Sequence, residues 1–247
     1  MNAYVPTLRG MIDRRMLINF RVDPDVAAKS VPPPFRPKLV HGWAMAGICL
    51  IRLKSVRPVG FPAAFGLASE NAAHRIAVEW NEGRVLKEGV FIPRRDTSSR
   101  LQAFVGGRVF PGVHHRTDFT VDETTENFRV NMRSHDGVTA IRLSARTAGA
   151  LTQTSIFGSL AEASDFFARG SAGYSATPLV GIWDGLELRT RGWKVEPLAV
   201  SNIESSYFDD PIRFPVGTIE FDCALLMQGV EHQWRRVEPI KRMETKI

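Results

Sequence analysis

The segment at residues 89–100 carries the residue types best suited to bind a small anion. An apolar run ends at Pro93, and Arg94 and Arg95 follow it directly. Arg100 comes after an Asp-Thr-Ser-Ser cluster that is typical of a helix N-terminus. Arginine offers rigid paired donors to a carboxylate or phosphate, and a first helical turn adds backbone N–H groups. The spacing predicts an anion site at a strand–helix junction, with a surface ion-pair cluster as the alternative.

Three other side chains are candidates for the same site. Glu70 and His74 lie in the segment at residues 66–74, which carries no other acidic or basic side chain. A carboxylate in apolar surroundings has to be solvated, paired or protonated. Glu70 is therefore either an exposed loop residue or a buried acid–base group near the arginines, and His74 is either a ligand-binding residue or a hydrogen-bonded core histidine. Arg14 precedes the first predicted strand and is either a pocket residue or a solvated strand end.

The sequence contains none of the common cofactor or nucleophile motifs. We find no dinucleotide fingerprint, no phosphate loop and no G-x-S-x-G elbow. His114 and His115 are adjacent, and on a strand they would point to opposite faces of the sheet. No H-x-H or H-E-x-x-H spacing occurs, so we predict neither a cofactor nor a metal.

Three short helices are predicted. Asp23 and Pro24 suit the start of a helix over residues 24–31, which the following prolines end. Apolar residues recur at helical spacing after the arginine cluster, at Leu101, Phe104, Val105 and Val109. A third helix covers residues 160–168, with a capping box that begins at Ser159 and a C-terminal Gly170.

Segments typical of strands outnumber these helices and follow one another along the chain. They lie at residues 16–22, 39–53, 74–80, 85–92, 115–121, 127–133, 138–145, 187–196, 200–206 and 219–227. Consecutive strands favour an antiparallel sheet over a parallel α/β sheet. We therefore predict a mainly β fold with a few helices. It would be one domain over residues 1–247, forming an antiparallel barrel or cone with an internal pocket.

The composition is that of an ordinary soluble protein, with 44% hydrophobic and 23% charged residues. No apolar run reaches the length of about 18 residues that a membrane helix needs, and no signal peptide is evident. Two cysteines in apolar segments favour buried free thiols and a cytoplasmic location. The net charge of +6 is scattered, which argues against nucleic acid. We expect a small anionic metabolite as partner, no membrane contact, and either a monomer or a homo-oligomer.

Three segments together resemble the acetoacetate-decarboxylase-like superfamily. Residues 20–25, with the Val-Pro-Pro-Pro-Phe that follows at residues 31–35, are similar to the Tyr-Arg-Thr-Asp and Val-Pro-Glu-Pro that open the decarboxylase domain. Ser69-Glu70-Asn71 resembles the Thr-Glu-Ser-Gly around the decarboxylase pocket glutamate, and Pro93-Arg94-Arg95 resembles its Pro-Lys-Lys. Arg14 falls near the N-terminal pocket arginine of that family. The resemblance implies a decarboxylase-like β-barrel or cone with an internal pocket.

Over most of the chain the sequence is more similar to the uncharacterised YqjF-like bacterial branch of that superfamily. Residues 92–100, 166–175 and 221–227 carry this similarity.

The arginine pair departs from the decarboxylase pattern at the reactive position. Arg94 stands where the resemblance would place the Schiff-base lysine, and Arg95 where it would place the cationic neighbour. Arginine stays charged and does not condense with a ketone as a lysine does. We therefore expect an enzyme that acts on a small oxo acid without a Schiff base, with Arg94 and Arg95 as anion ligands and Glu70 as the acid–base group. The alternative is a non-catalytic ligand-binding or sensor protein on the same scaffold.

Overall fold

The computed structural model describes residues 6–107, 111–177 and 179–241 of the chain. Strands dominate this part of the chain. They are β1 (Leu8–Val22), β2 (Arg36–Pro37), β3 (Leu39–Val40), β4 (Trp43–Pro58), β5 (Leu67–Glu82), β6 (Val85–Thr97), β7 (His114–Glu123), β8 (Asn127–Ser134), β9 (Ala140–Thr147), β10 (Ala172–Ala176), β11 (Ile182–Thr190), β12 (Glu196–Ser205) and β13 (Ile219–Lys241). The helices are α1 (Pro24–Lys29), α2 (Arg100–Val105) and α3 (Leu160–Ala168), with a 3₁₀ turn at Ala63–Phe65. The predicted mainly β fold with few helices is confirmed.

The strands form one sheet that closes on itself twice. Five long strands lie side by side in the order β13-β1-β4-β5-β6, and two separate bridges join β6 to β13. One bridge is β7-β8-β9-β12, which completes a ring of nine strands that we call the larger ring. The other is β10-β11, which completes a ring of seven strands that we call the smaller ring. Most pairs are antiparallel, as predicted, but β6 pairs in parallel with both β7 and β10.

The shared strands are buried on both faces because each ring encloses one face. Residues 16–20 of β1 are all buried, and so are residues 44–51 of β4. Met16, Ile18 and Phe20 belong to one hydrophobic cluster, whereas Leu17 belongs to a second cluster on the other side of the sheet. Two-sided burial explains the continuous apolar run at residues 39–53, since a strand with one solvated face would alternate with polar residues.

The helix termini agree with the sequence signals. The Asp23 side chain accepts hydrogen bonds from the first turn of α1, Ser99 caps α2 and Ser159 caps α3. Helix α1 ends at Lys29, two residues before the predicted end. Val109, which was assigned to the second helix, lies outside the described residues. No described helix is long and apolar enough to cross a membrane.

Several strand boundaries differ from the predicted ones. Strand β1 begins at Leu8, so Arg14 lies inside this strand and does not precede it. The apolar run at residues 39–53 is divided between β3 and β4 by a turn at His41 and Gly42, where both residues have positive φ. Strand β11 ends at Thr190, and β13 continues to Lys241, well past the predicted end. Strand β10 was not predicted because its Ala-Gly-Tyr-Ser-Ala sequence has low β propensity.

Candidate functional site

A cavity of about 320 Å³ lies inside the smaller ring. All seven strands of this ring contribute lining residues, and α2 and α3 add others. Most of the lining is apolar, as at Leu17, Ile51, Leu53, Leu186 and Leu188. The volume falls at the lower end of the range of about 300–1,000 Å³ that is common for small-molecule sites. The cavity therefore suits a ligand of metabolite size.

A wider groove of about 670 Å³ runs over the β7-β8-β9-β12 bridge. Its charged side chains face solvent, and Arg142 pairs with Glu204 at 3.3 Å. Exposed charges are solvated and screened, so pairs of this kind contribute little binding energy. We therefore assign the candidate site to the cavity.

Strand register places Arg95 at one end of this cavity, the end farthest from the start of β1, which we call the inner end. Directly paired residues place four side chains in one row across β1, β4, β5 and β6, namely Leu17, Cys49, Ala73 and Arg95. Side chains of such a row point to the same face of a sheet. The cavity-facing arginine of the predicted pair is thus Arg95, and Arg94 points to the opposite face.

The Arg95 guanidinium is buried and only partly hydrogen-bonded. Its side chain is 6% exposed, and its Nε donates to Ser175 Oγ at 3.0 Å. Its Nη2 has no hydrogen-bond partner among the described residues. Burial lowers the pKa of Arg95 to about 10, so the group stays charged at neutral pH. Gly112 has positive φ, and a Cβ there would lie 2.8 Å from Arg95 Nε, which is why a residue without a side chain faces the guanidinium.

Arg75 reaches the same end of the cavity from a neighbouring row of paired residues. Arg75 on β5 pairs with Gly47 on β4, and Gly47 pairs with Asn19 on β1. Because Gly47 has no side chain, Arg75 Nη2 crosses β4 and donates to Asn19 Oδ1 at 2.5 Å. Its Nε is buried without a partner among the described residues, and its guanidinium lies 5.1 Å from the ring centre of Phe167. Burial lowers the pKa of Arg75 to about 10.

Arg15 is the third arginine at this inner end. Its Nε donates to the sulfur of Cys49 at 3.4 Å, and its guanidinium lies 5.5 Å from the ring centre of Trp193. Cys49 is a free thiol, 8% exposed, in the same row as Arg95. The Cys49 sulfur therefore lies beside the guanidiniums of the inner end.

The positive charge at the inner end has no matching carboxylate in the cavity. Asp96 is the only acidic residue among the described residues that line it. Its Oδ1 accepts hydrogen bonds from Arg94, Thr117 and Thr139, and this carboxylate thus belongs to the Arg94 network and not to the cavity arginines. An uncompensated buried charge costs several kcal/mol, and a bound anion would offset that cost.

His114 is the cavity's neutral imidazole. Its Nδ1 donates to Gly112 O at 3.0 Å, which leaves Nε2 as the acceptor nitrogen. Burial, and then the charge of Arg95, lower the pKa of His114 to about 3. His115 points the other way and lies 3.1 Å from Asp136, so the two adjacent histidines are on opposite faces, as predicted.

Arg94 lies in a separate polar network on the larger-ring face of β6. It donates to Asp96 at 2.8 Å and to Asp136 at 2.8 Å, and this pairing holds the pKa of Asp136 well below its usual range. His74 packs beside this network, 4.6 Å from the ring centre of Tyr207. Burial, and then the charges of Arg94 and Arg213, lower the pKa of His74 to about 3. His74 has no hydrogen-bond partner among the described residues, so it is a core histidine without the expected hydrogen bond.

Glu70 belongs to a compact ion cluster on that same face. It accepts from Arg14 Nη2 at 2.7 Å and from Arg52 Nε, and Glu123 also bonds both arginines. The Arg14 side chain is only 1% exposed and that of Glu70 15%. Burial alone would raise the pKa of Glu123, but the two guanidiniums lower it. The cluster is therefore an internally neutralised set of two arginines and two glutamates.

The structure divides the six candidate residues among four places. Arg95 lines the cavity, Arg94 and His74 share one network, Arg14 and Glu70 share the ion cluster, and Arg100 is exposed in the first turn of α2. The expected gathering of three guanidiniums at the β6–α2 junction does not occur, because Arg94 and Arg95 alternate across the sheet. Among the described residues, no group of three or more histidine, cysteine, aspartate or glutamate side chains could hold a metal.

Sequence reasoning did not select Arg15, Arg75, Cys49 or His114 as site residues. A signal for Arg75 was available, because it is the only arginine or lysine in the predicted strand at residues 74–80 and directly precedes the apolar residues 76–78. A charged residue that is buried beside such a run requires a partner or a ligand.

Solved structures with the same fold are acetoacetate-decarboxylase-like proteins. An acetoacetate decarboxylase-like enzyme from Sphingomonas wittichii RW1 aligns with a TM-score of 0.58 and 13% identity, over 97% of this chain and 94% of its own. Acetoacetate decarboxylase from Legionella pneumophila aligns with a TM-score of 0.58 and 12% identity, over 97% and 90%. The enduracididine biosynthesis enzyme MppR in complex with pyruvate aligns with a TM-score of 0.52 and 12% identity, over 96% and 90%. At these identities the likeness establishes the fold alone.

A match to a family model identifies the family of this chain. Residues 11–178 match DUF2071, described as "Uncharacterized conserved protein (COG2071)". The chain belongs to this family, and the resemblance to the YqjF-like branch is confirmed. A search of curated protein sequences finds no significant match.

Proposed function

We propose that this protein binds a small carboxylate, such as an oxo acid, in the cavity of the smaller ring. The observation that carries the proposal is the pair of buried guanidiniums, Arg95 and Arg75, each with an N–H group that has no partner among the described residues. A carboxylate accepts paired hydrogen bonds from guanidinium groups and would compensate their charge. The apolar lining would contact the rest of the ligand.

The fold neighbours support an oxo acid as the ligand class. MppR was solved with pyruvate, an oxo acid, and the decarboxylases are named for another, acetoacetate. In this chain no lysine occurs among the described residues that line the cavity. We therefore propose recognition by arginine, without a Schiff base.

Binding without turnover is the function that the geometry favours. The acid–base candidate Glu70 is engaged with Arg14 and Arg52 on the larger-ring face, and so it does not face the proposed carboxylate. Catalysis on an oxo acid is the second candidate. It would use the unprotonated Nε2 of His114 as the proton acceptor.

The test compares pyruvate, acetoacetate and butyrate with their neutral amides by calorimetry. We expect the acids to bind and the amides to bind at least about tenfold more weakly. Arg95→Met should weaken acid binding by about 10- to 100-fold, since charge-assisted hydrogen bonds contribute about 1.5–3 kcal/mol. The same variant should unfold at an equal or higher denaturant concentration, because it removes an uncompensated buried charge. Treatment with borohydride in the presence of acetoacetate should leave the protein mass unchanged.

Arg100→Gln is the matched control, because this arginine is exposed and lies outside the cavity. It should bind the acids like the unmodified protein. Equal binding of acids and amides, or full acid binding by Arg95→Met, would contradict the proposal. A covalent adduct after borohydride would contradict its non-Schiff-base part.

A further inference from the structure

The cavity has two chemically different ends. Its inner end holds the polar groups of Arg15, Arg75 and Arg95 together with Cys49. Toward the other end, β4 contributes Ile51, Leu53, Val56 and Pro58 to the lining. A ligand that matches the lining would be charged at one end and apolar along the rest of its length.

The apolar end opens to solvent where several strands begin or end. Strand β1 begins at Leu8, β4 ends at Pro58 and β5 begins at Leu67, and Leu8 pairs directly with Pro58. We define the mouth by Pro58, Leu67 and Leu101, which all line the cavity. Leu67 is 44% exposed and Leu101 is 53% exposed. Apolar side chains that continue from a cavity to its rim are characteristic of ligand-binding grooves.

The charged residue closest to the mouth is held against the backbone and not extended into the cavity. Arg57 is the charged residue nearest to Pro58 in the lining. Its Nη1 donates to Ser55 O at 2.7 Å and its Nε to Phe61 O at 3.1 Å. The guanidinium is thus engaged by backbone carbonyls.

The cavity is elongated along the strands. Along β5 its lining residues extend from Leu67 to Arg75, which is about 26 Å along the strand. The cavity is therefore a channel that runs parallel to the strands. A three- or four-carbon acid held at Arg95 would leave most of the channel unfilled, whereas an unbranched chain would follow it.

We propose that the ligand is a carboxylate with an unbranched apolar tail, with the carboxylate at Arg95 and Arg75 and the tail directed toward the mouth. This inference rests on the proposed carboxylate site and narrows its ligand class to medium-chain, fatty-acid-like molecules. The tail gains affinity by leaving water, and the arginines fix its orientation.

The test measures the affinity of straight-chain acids from acetate to decanoate, with the matching primary amides, on the full chain. We expect affinity to rise about fourfold per added methylene until the tail reaches the mouth. Leu67→Glu should flatten this rise for the longest acids, because it places a negative charge at the mouth. Leu86→Glu is the control, since Leu86 is similarly exposed, at 49%, and lies outside the cavity; it should keep the full rise.

The outcomes separate the two proposals. If short acids bind better than amides but affinity does not grow with length, the tail is overturned and the carboxylate site stands. If affinity grows equally for acids and amides, the apolar channel stands and carboxylate recognition is overturned. If no acid binds at any length, both are overturned. If both glutamate variants flatten the rise equally, the assignment of the mouth is overturned.

Discussion

At the residue scale, neighbouring arginines in one strand have opposite environments. Arg94 is neutralised by Asp96 and Asp136, whereas Arg95 meets one serine hydroxyl and an apolar cavity. The difference arises because successive side chains of a strand point to opposite faces. Arg94 thus has a structural role and Arg95 a proposed binding role, because they lie on opposite faces of the sheet.

Cys49 provides a built-in probe of the charge in the cavity. Its thiol lies in the row of Arg95, so anionic iodoacetate should be concentrated near it, whereas neutral iodoacetamide should not. We expect iodoacetate to alkylate Cys49 at least about tenfold faster, relative to iodoacetamide, than it alkylates a free small thiol. Peptide mass spectrometry gives the rates, and the thiolate displaces iodide in both reactions.

The second cysteine and two variants serve as controls for this labelling. Cys223 is fully buried, and burial, then Asp222, raise the pKa of its thiol, so it should stay unlabelled. Cys49→Ser should abolish the labelling, and Arg95→Met should remove the preference for the anionic reagent. If Cys49 of the unmodified protein prefers iodoacetate no more than a free small thiol does, the guanidiniums do not concentrate anions in the cavity.

At the element scale, β4 is the strand through which the inner end is assembled. Its Gly47 lets Arg75 on β5 reach Asn19 on β1, two strands away. A Cβ at residue 47 would lie 2.4 Å from Ile18 O and 3.2 Å from Asn19 Oδ1. Because residue 47 is glycine, strands β1 and β4 pack closely and Arg75 keeps its hydrogen bond to Asn19.

Gly47→Ala should damage both packing and binding. Relief of the contact with Ile18 O requires a backbone shift, so we expect a loss of about 1–3 kcal/mol in the free energy of unfolding by urea. The loss of the Asn19–Arg75 hydrogen bond should also weaken carboxylate binding. Gly149→Ala is the control, because a Cβ there meets nothing within 4 Å. A Gly47→Ala protein of unchanged stability would show that the strands adjust without cost.

At the scale of the whole molecule, two rings share five strands and bury ionisable groups inside the fold. His74 on the larger-ring face and His114 in the cavity both have a pKa lowered to about 3 by burial first. In the unfolded chain each would titrate near its ordinary value of about 6.5. The unfolded state therefore binds more protons below that pH, so acid favours unfolding.

Stability should decrease as the pH falls from about 6.5 toward 3. At pH 5 each of these two histidines should account for a loss of about 2 kcal/mol relative to pH 7. Burial also lowers the pKa of His232, to about 4, so it should add a similar loss. Urea unfolding at pH 7 and pH 5 measures the difference, and His74→Phe should reduce it by about a third. His135→Gln, which replaces a histidine whose side chain is 50% exposed, should leave it intact. An unmodified protein of equal stability at both pH values would contradict the neutral buried state.

Much of the fold could be predicted from the sequence because its signals are local. Asp23, Ser99 and Ser159 cap the three helices, and the β7-β8-β9 meander follows its alternating pattern. The start of β1 was missed because Arg9, Asp13 and Arg14 interrupt the apolar pattern, although Arg9 and Arg14 pair with both neighbouring strands. The end of β13 was missed for a similar reason, since its last part alternates charged and apolar residues.

The sequence by itself determined the strand-rich class, the helix caps and the family. Only the tertiary structure decided which arginine faces a cavity, which carboxylates neutralise the others, and that Arg15, Arg75 and Arg95 line one cavity. Residues 15, 75 and 95 are far apart in the chain, and strand register alone brings them together. A register shift of one residue would reverse the faces of Arg94 and Arg95, and such long-range pairing leaves no mark in the local sequence.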